Sequence, residues 1–394
     1  MADDFLWIAD DHALETVCAE LAQSRSVAVD TEFVGEKTYW PVLELVQLAG
    51  DDARPAVIDV RAVRDFGPLQ ALLADPSREK IVHAGAQDLP LLARVVGAAP
   101  TPVFDTQIAA AMVGLGAQIS YAALAERFAG ARVDKSHTMS DWSRRPLESE
   151  QLAYAAQDVR HLHAIRAQLG GRLTELGREA WFAEEQALRT EAALRSDEPR
   201  DDDLYRIVKD WAKLRGVELA VLHALAKWRE DEARARDLPR RRVLPDEALI
   251  HLARRPPRAR ADLSRLPRGV PARAVERHAD DLVRVARDAA ALPPDAWPQA
   301  PERRAPDAPP CLSEILAAVV RATADDAQIA STLLATSKEI TALVAHRDDA
   351  EPPDLPVVRG WRRALVGETL LMLLRGERTI RIVDGHRLVV EPRD

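Results

Sequence analysis

The spacing of apolar and polar residues along this chain changes character near residue 170. Before that point, short apolar or alternating runs typical of β-strands are separated by stretches with the three-to-four-residue spacing of amphipathic helices. Because short gaps join the second, third and fourth strands, we expect antiparallel neighbours there. The segment therefore predicts a mixed α/β sheet covered by helices. Predicted strands are 6–10, 26–33, 43–50, 55–60, 80–84 and 102–106, and helices between them are 12–24, 66–75 and 89–97.

Helical spacing dominates the rest of the chain, beginning with a predicted amphipathic helix at residues 152–165. A proline-dense stretch near 292–310 predicts an extended linker, and Asp384–Gly385 predicts a tight hairpin close to the end. The expected domains are an α/β domain at 1–195, a helical domain at 203–292, a linker at 293–310, and a second helical domain with the hairpin at 311–394. Further predicted helices are 171–194, two within 204–237, 246–254, 271–278, 280–291, 311–326, 329–349 and 361–377.

Composition narrows the class of protein. The 394 residues fit two or three domains, no run of about 18 apolar residues predicts a membrane span, and the acidic start is unlike a signal peptide. Cys18 and Cys311 lie far apart, without metal-type spacing, which fits a reducing cytoplasm. The net charge is −9, yet residues 229–277 hold 14 arginines against 8 acidic residues. This segment predicts either a nucleic-acid contact or a solvated surface.

Acidic side chains on one predicted strand are candidates for metal chemistry. In the stretch AVDTEF, alternation places Asp30 and Glu32 on one face of the strand and Val27 and Val29 on the other. Two adjacent carboxylates repel each other unless a cation lies between them, and hard oxygen ligands suit Mg²⁺ or Mn²⁺. Taken alone, such a pair is more often two solvated surface acids at a strand edge.

Other candidate residues lie at helix starts and on one helix face. Asp88 and Asp105 each follow a strand and precede a helix, where aspartate commonly serves as an N-cap. Tyr154 and Asp158 are four residues apart, so a helix brings them to the same face, where such a pair is usually structural. The histidines show no zinc-type spacing. A loop containing Lys135 and His137 could border a site.

Taken in order, these residues form the pattern D-x-E, then D, then Y-x-x-x-D, which resembles the ribonuclease D family of the DEDD 3′–5′ exonuclease superfamily. The matching stretches are VAVDTEFVGEKTYWPVLELVQLA, KIVHAGAQDLPLLARV, VFDTQIAAA, DKSHTMSDWSRRPL and YAAQDVRHL. Tyrosine four residues before the last aspartate marks the tyrosine branch. The resemblance implies a ribonuclease H-like mixed sheet with flanking helices, followed by two small all-α HRDC-like domains.

The resemblance also implies how the residues act. One divalent cation, Mg²⁺ or Mn²⁺, would be held by Asp30, Glu32 and Asp158 and would carry the attacking water. A second, bridged by Asp30 and reached by Asp88 through water, would stabilise the leaving 3′ oxygen. Tyr154 would orient or help deprotonate the water. The reaction would release nucleoside 5′-monophosphates.

The implied substrate is RNA with a single-stranded 3′ end, notably tRNA precursors. Arginines of the basic segment are candidates for phosphate contacts, which position a nucleic acid without reading its sequence. We expect no membrane partner, and a monomer is the favoured state. Two alternatives remain: an exonuclease acting on DNA 3′ ends, and a catalytically silent relative that binds RNA. The candidate phosphate contacts are Arg240, Arg241, Arg242, Arg254, Arg255, Arg258 and Arg260.

Overall fold

The structure, a computed structural model, describes residues 4–51, 54–133, 140–195, 201–265, 270–298, 308–385 and 387–393. Its first part alternates strands and helices, as the sequence predicts, and its later part is helical up to a final hairpin. The elements before residue 196 are β1 Leu6–Ile8, α1 Asp11–Leu21, β2 Ser26–Val34, β3 Val42–Ala49, β4 Ala56–Asp59, α2 Gly67–Ala74, β5 Glu79–Val82, α3 Asp88–Val95, β6 Val103–Asp105, α4 Thr106–Met112, α5 Tyr121–Ala129, α6 Ser149–Arg160, α7 Leu162–Glu175 and α8 Glu179–Arg195.

The remaining elements are helices of varied length and one pair of strands. Between residues 201 and 298 they are 3₁₀ turns at Asp201–Ile207 and Trp211–Lys213, α9 Val217–Ala235, α10 Arg240–Val243, α11 Asp246–Arg254, a 3₁₀ turn at Arg260–Arg265, α12 Ala272–Arg277, α13 Ala279–Ala290 and a turn at Pro294–Ala296. After residue 307 they are α14 Pro310–Ala327, α15 Ser331–Leu334, α16 Ser337–Ala345, a turn at Pro356–Val358, α17 Gly360–Arg362, a π-helical turn at Arg363–Gly367, α18 Glu368–Leu374, β7 Arg378–Val383 and β8 Arg387–Pro392. No helix in these described stretches is both long enough and apolar enough to span a membrane.

A six-stranded mixed sheet forms the framework of the first part, in the order β1-β4-β3-β2-β5-β6. The pairs β1–β4, β2–β5 and β5–β6 are parallel, and β3–β4 is antiparallel. The strand that carries Asp30 and Glu32 is therefore internal to the sheet. The predicted mixed α/β sheet, the helical region and the terminal hairpin are all confirmed, with Asp384 and Gly385 both at positive φ.

Four predicted helices differ from the structure, and one of them, predicted at 329–349, is divided into α15 and α16. The single helix predicted at 152–165 is wrong, because α6 ends at Arg160 and α7 begins at Leu162. The helix predicted from 171 is interrupted after Glu175, where Gly177 takes a left-handed φ of 63° that ends α7. Of two helices expected within 204–237, the first is present only as 3₁₀ turns.

Contacts between residues divide the chain into two compact units. Unit 1 contains residues 1–32, 43–194 and 304–394, and unit 2 contains residues 33–42 and 195–303. A large apolar core of unit 1 joins α4, α5, α7 and α8 to side chains of α14–α18. The core of unit 2 is built from α9, α11, α13 and the turns around them. The three-domain division drawn from the sequence stays a prediction.

A buried arginine ties together two distant chain segments inside unit 1. The Arg178 guanidinium donates to the carbonyl oxygens of Met112 at 2.6 Å, Gln328 at 2.9 Å and Ala327. These carbonyls lie at the C-terminal ends of α4 and α14, where a cation is favourable to the helix dipole. A Cβ on Gly114 would lie 2.7 Å from the Gln328 carbonyl oxygen, so the close approach requires glycine.

Candidate active site

Asp30 and Glu32 lie half-buried in the second half of β2, beyond three residues that are fully enclosed in the sheet. Burial raises the pKa of Asp30 well above its ordinary value, and the neighbouring carboxylates of Asp88, Asp158 and Glu32 raise it further. Burial, followed by Asp158 and Asp88, raises the pKa of Glu32 to about 8. The four carboxyl groups therefore share one electrostatic environment although they are far apart in the chain.

Asp88 is the first residue of α3, and Gln87, which makes no side-chain capping hydrogen bond, occupies the N-cap position. The N-cap interpretation of Asp88 is thus wrong, because Gln87 occupies the cap position. Its carboxylate instead accepts a hydrogen bond from the hydroxyl of Thr31, which lies between Asp30 and Glu32 on β2. Burial raises the pKa of Asp88 to about 6 despite that hydrogen bond. Thr31 thereby fixes the acid of α3 beside the acids of β2.

Asp158 and Tyr154 face the same side of α6, as their spacing predicts, and both are half-buried. Burial raises the pKa of Asp158 to about 7. The Tyr154 ring lies 6.2 Å, between centroids, from the ring of Trp142. Trp142 is buried and belongs to the stretch DKSHTMSDWSRRPL. Lys135 and His137 of the same stretch lie outside the described residues.

Asp105 supports the loop that leads into α3. Its side chain accepts from the backbone of Gln107 at 2.8 Å, which confirms the predicted N-cap of α4. The same carboxylate accepts from the backbone N–H groups of Ala84 and Gly85, each at 3.0 Å. Ala84 has a positive φ of 57°, a conformation that needs such outside support. Asp105 therefore holds the turn immediately before Asp88, a second role that the sequence pattern did not reveal.

The donor set of this cluster fits divalent cations that prefer oxygen ligands. The carboxylates of Asp88 and Asp158 raise the pKa values of Asp30 and Glu32, burial raises those of all four acids, and no cationic side chain is among the principal influences on them. Their mutual repulsion is relieved either by protons or by cations. Among the residues that the structure describes, however, no three acidic, histidine or cysteine side chains form a ready coordination sphere. Binding an ion would thus require the carboxylates to turn toward it.

The predicted phosphate-contact arginines, all in unit 2, fall into two groups. Arg240 is engaged internally: it pairs with Glu230, donates to the Tyr39 hydroxyl at 2.9 Å, and lies 5.0 Å over the Tyr39 ring. Arg241 and Arg260 form exposed ion pairs with Glu247 and Asp280, at 3.4 and 3.1 Å. The remaining four have exposed side chains, and these are Arg242, Arg254, Arg255 and Arg258.

Sequence comparison identifies the class of protein. Residues 5–174 match the 3′–5′ exonuclease family and residues 218–285 match the HRDC domain. The mixed sheet with its acidic cluster and the following helices agree with both matches. The chain is therefore a 3′–5′ exonuclease that carries an HRDC domain.

Full-length relatives define the family more closely. Ribonuclease D of Pseudomonas paraeruginosa is 38% identical over 375 residues, covering 95% of this chain and 98% of the relative. Ribonuclease D of Granulibacter bethesdensis is 37% identical over 390 residues, covering 97% and 95%. The crystal structure of Escherichia coli RNase D, described as an exoribonuclease involved in structured RNA processing, superposes with a TM-score of 0.85 at 32% identity, covering 94% of this chain and 99% of that one. The chain belongs to the ribonuclease D family and is a 3′–5′ exoribonuclease.

Proposed function

We propose that this exoribonuclease removes nucleotides from RNA 3′ ends by two-metal-ion hydrolysis at Asp30, Glu32, Asp88 and Asp158. The observation that carries the proposal is the gathering of four carboxyl groups whose pKa values are all raised, without a cationic side chain among their principal influences. Such a cluster gains most from divalent cations, because each ion relieves repulsion between several acids at once. By resemblance, Asp30, Glu32 and Asp158 would hold one ion, and Asp30 and Asp88 would contribute to the other.

Bound divalent cations would supply an acidified water and neutralise charge on the phosphate and the leaving oxygen. The protein's own groups position the reactants. Asp30 is held by an internal strand, and Asp88 is held by Thr31. Tyr154, one helical turn from Asp158, orients the attacking water through its hydroxyl. Since a phenol has a pKa of about 10, it acts mainly by orientation rather than as a free base.

The balanced reaction consumes one water for each nucleotide removed. The water oxygen forms a bond to phosphorus, and the bond from phosphorus to the preceding 3′ oxygen breaks. That oxygen takes up a proton to leave a new 3′ hydroxyl on the shortened RNA, and a nucleoside 5′-monophosphate is released. Repetition of this step shortens the RNA from its 3′ end.

We further propose that the substrates are single-stranded 3′ tails of structured RNAs, including tRNA precursors. The description of the Escherichia coli relative and the family resemblance both support this class of substrate. The exposed arginines Arg242, Arg254, Arg255 and Arg258 of unit 2 suit contacts to the phosphate backbone. Arg240 suits this role less, because Glu230 and Tyr39 already engage its guanidinium.

The test is digestion of a 5′-labelled RNA with a single-stranded 3′ tail, beside a DNA of the same sequence. We expect MnCl₂ or MgCl₂ to support stepwise shortening of the RNA, and EDTA or Asp30→Asn to abolish it while RNA binding persists. Asp348→Asn is the matched control, because the Asp348 side chain is 77% exposed. Undiminished digestion in EDTA or by Asp30→Asn would remove the metal scheme, and equal digestion of DNA would remove the restriction to RNA.

A further inference from the structure

The junction between α6 and α7 interrupts a helix that the sequence pattern would continue. The apolar spacing of residues 152–165 is helical throughout, yet His161 has φ −105° and ψ 1° and separates two helices. The junction contains neither glycine nor proline, the residues that most often interrupt a helix. Its cause therefore lies outside the segment, and it matters because Asp158 lies in the last turn of α6.

The hydroxyl of Tyr121 fills this junction. It donates to the carbonyl oxygen of Gln157 at 2.5 Å and accepts from the backbone N–H of His161 at 3.1 Å. In a continuous α-helix, the N–H of residue 161 would bond directly to the carbonyl of residue 157. The phenol thus contacts both partners of one helical hydrogen bond, while the His161 N–H also bonds the carbonyl of Val159. Insertion of a side chain into this ladder is a known cause of a helix kink.

The surroundings of Tyr121 hold its hydroxyl in this junction. It is the first residue of α5, directly after the capping Ser120, whose side chain accepts from the backbone of Ala123. Its ring packs against a buried cluster at the base of the site: Ala28, Ala49, Ile81, Val159 and Leu162. Burial, followed by the carboxylates of Asp158 and Asp30, raises the Tyr121 pKa, so the hydroxyl keeps the proton that it donates to Gln157.

The ring also contacts the support of the opposite side of the site. The centroids of Tyr121 and His83 lie 6.1 Å apart, and His83 Nδ1 lies 2.9 Å from the Thr106 hydroxyl. His83 directly precedes the turn that Asp105 holds before Asp88. The same group of packed side chains therefore reaches both the helix of Asp158 and the loop of Asp88.

We propose that Tyr121 is a positioning residue for Asp158: its hydroxyl keeps the last turn of α6 open and sets the direction of the Asp158 carboxylate within the acidic cluster. This inference rests on the proposed metal-dependent function. Without the hydroxyl, the His161 N–H and the Gln157 carbonyl can bond to each other, and the backbone that carries Asp158 shifts. Tyr121→Phe removes the hydroxyl and keeps the ring.

The experiment compares wild type and Tyr121→Phe by calorimetric titration with MnCl₂ alone and by steady-state digestion of the tailed RNA. We expect the variant to bind Mn²⁺ roughly 10-fold more weakly, a typical effect of losing support behind a metal ligand. At saturating Mn²⁺, kcat should fall roughly 10- to 100-fold, because misplacement by about 1 Å has such consequences. The KM for RNA should change less than about threefold, because α6 and α7 carry none of the proposed arginine contacts.

The matched control is Tyr205→Phe. Tyr205 is a buried phenol in unit 2, and its hydroxyl accepts a hydrogen bond from Arg206 at 3.1 Å. This variant loses a hydroxyl without touching the acidic cluster, so its Mn²⁺ affinity and kcat should match those of wild type. A second variant places 4-aminophenylalanine at position 121, whose amine can donate to the Gln157 carbonyl as the hydroxyl does, and it should restore most of the affinity and rate.

The outcomes separate this inference from the proposed function. Absence of metal-dependent digestion by wild type would remove the proposed function itself. If wild type digests RNA but Tyr121→Phe keeps its Mn²⁺ affinity and kcat within twofold, the positioning role is overturned. If Tyr121→Phe fails to fold, the 4-aminophenylalanine variant decides: a folded protein with wild-type affinity supports the role, and a folded protein with weak affinity overturns it.

Discussion

Replacing Glu32 by glutamine should make the metal-free protein more stable at alkaline pH. The pKa of Glu32 rises from 4.5 to about 8 in the folded protein, chiefly through burial. Between these two values the folded state holds a proton that the unfolded state has lost, so stability falls as the pH rises. The stabilising effect of the protonated carboxyl is fully present below about pH 4.5 and is lost as the pH passes 8. Glutamine cannot ionise and escapes this loss.

The size of the effect follows from the pKa. Each pKa unit corresponds to about 1.4 kcal/mol, so ionising Glu32 destabilises the fold by about 4–5 kcal/mol. A domain of about 150–250 residues changes its Tm by roughly 2–4 °C per kcal/mol. The Tm of Glu32→Gln should therefore exceed that of wild type by roughly 10 °C at pH 9 in EDTA. Near pH 5 the two proteins should unfold at similar temperatures.

The assay is thermal unfolding followed by circular dichroism from pH 5 to pH 9, first in EDTA and then in excess MnCl₂. With Mn²⁺ the order should reverse, because the ionised Glu32 side chain binds the ion and glutamine binds it less well. Glu36→Gln, an exposed site in the loop after β2, is the control and should show neither effect. A difference in Tm between Glu32→Gln and wild type that stays constant with pH in EDTA would refute the reasoning.

Three further predictions address catalysis, stability and RNA binding. Tyr154→Phe should lower kcat by at least about 10² if its hydroxyl orients the water; a wild-type rate constant in single-turnover digestion would contradict that role. Arg178→Ala should destabilise the protein by about 4 kcal/mol, because one buried and two partly buried carbonyls lose a charged donor. Replacing the half-exposed Arg189 by alanine should change the unfolding temperature little. Charge reversal at Arg254 and Arg255 together should weaken RNA binding. It should also reduce the slope of log K against log salt concentration by about 0.7 for each phosphate that the protein no longer neutralises. An unchanged slope in filter-binding assays would indicate that both arginines form part of a solvated surface.

Features set by local geometry were predictable from the sequence. Strand alternation places Asp30 and Glu32 together, and helical spacing places Tyr154 and Asp158 on one face. The N-cap at Asp105 also depends only on neighbouring backbone groups. The mixed sheet and the terminal hairpin follow from the same short-range patterns.

Features that depend on residues distant in the chain were not predictable in this way. The break in the 152–165 helix is made by Tyr121, whose hydroxyl reaches Gln157 across 36 positions of the chain. Asp88 shows the same limit: the sequence suggests a cap, whereas its partner is Thr31, 57 positions away. The raised pKa values could not be predicted from the sequence either, because they require the burial and convergence of the four acids.

The core of unit 1 combines two distant segments of the chain, and this affects when the protein can fold during synthesis. That core combines side chains between Phe104 and Phe182 with side chains between Leu316 and Leu371. At about 5–20 residues per second, a ribosome needs roughly 10–40 s to pass from the first group to the end of the second. We therefore expect nascent chains stalled before residue 310 to expose apolar surface on α4, α5 and α8 and to be cut readily by proteases. Equal protease resistance of stalled and released chains would contradict this expectation.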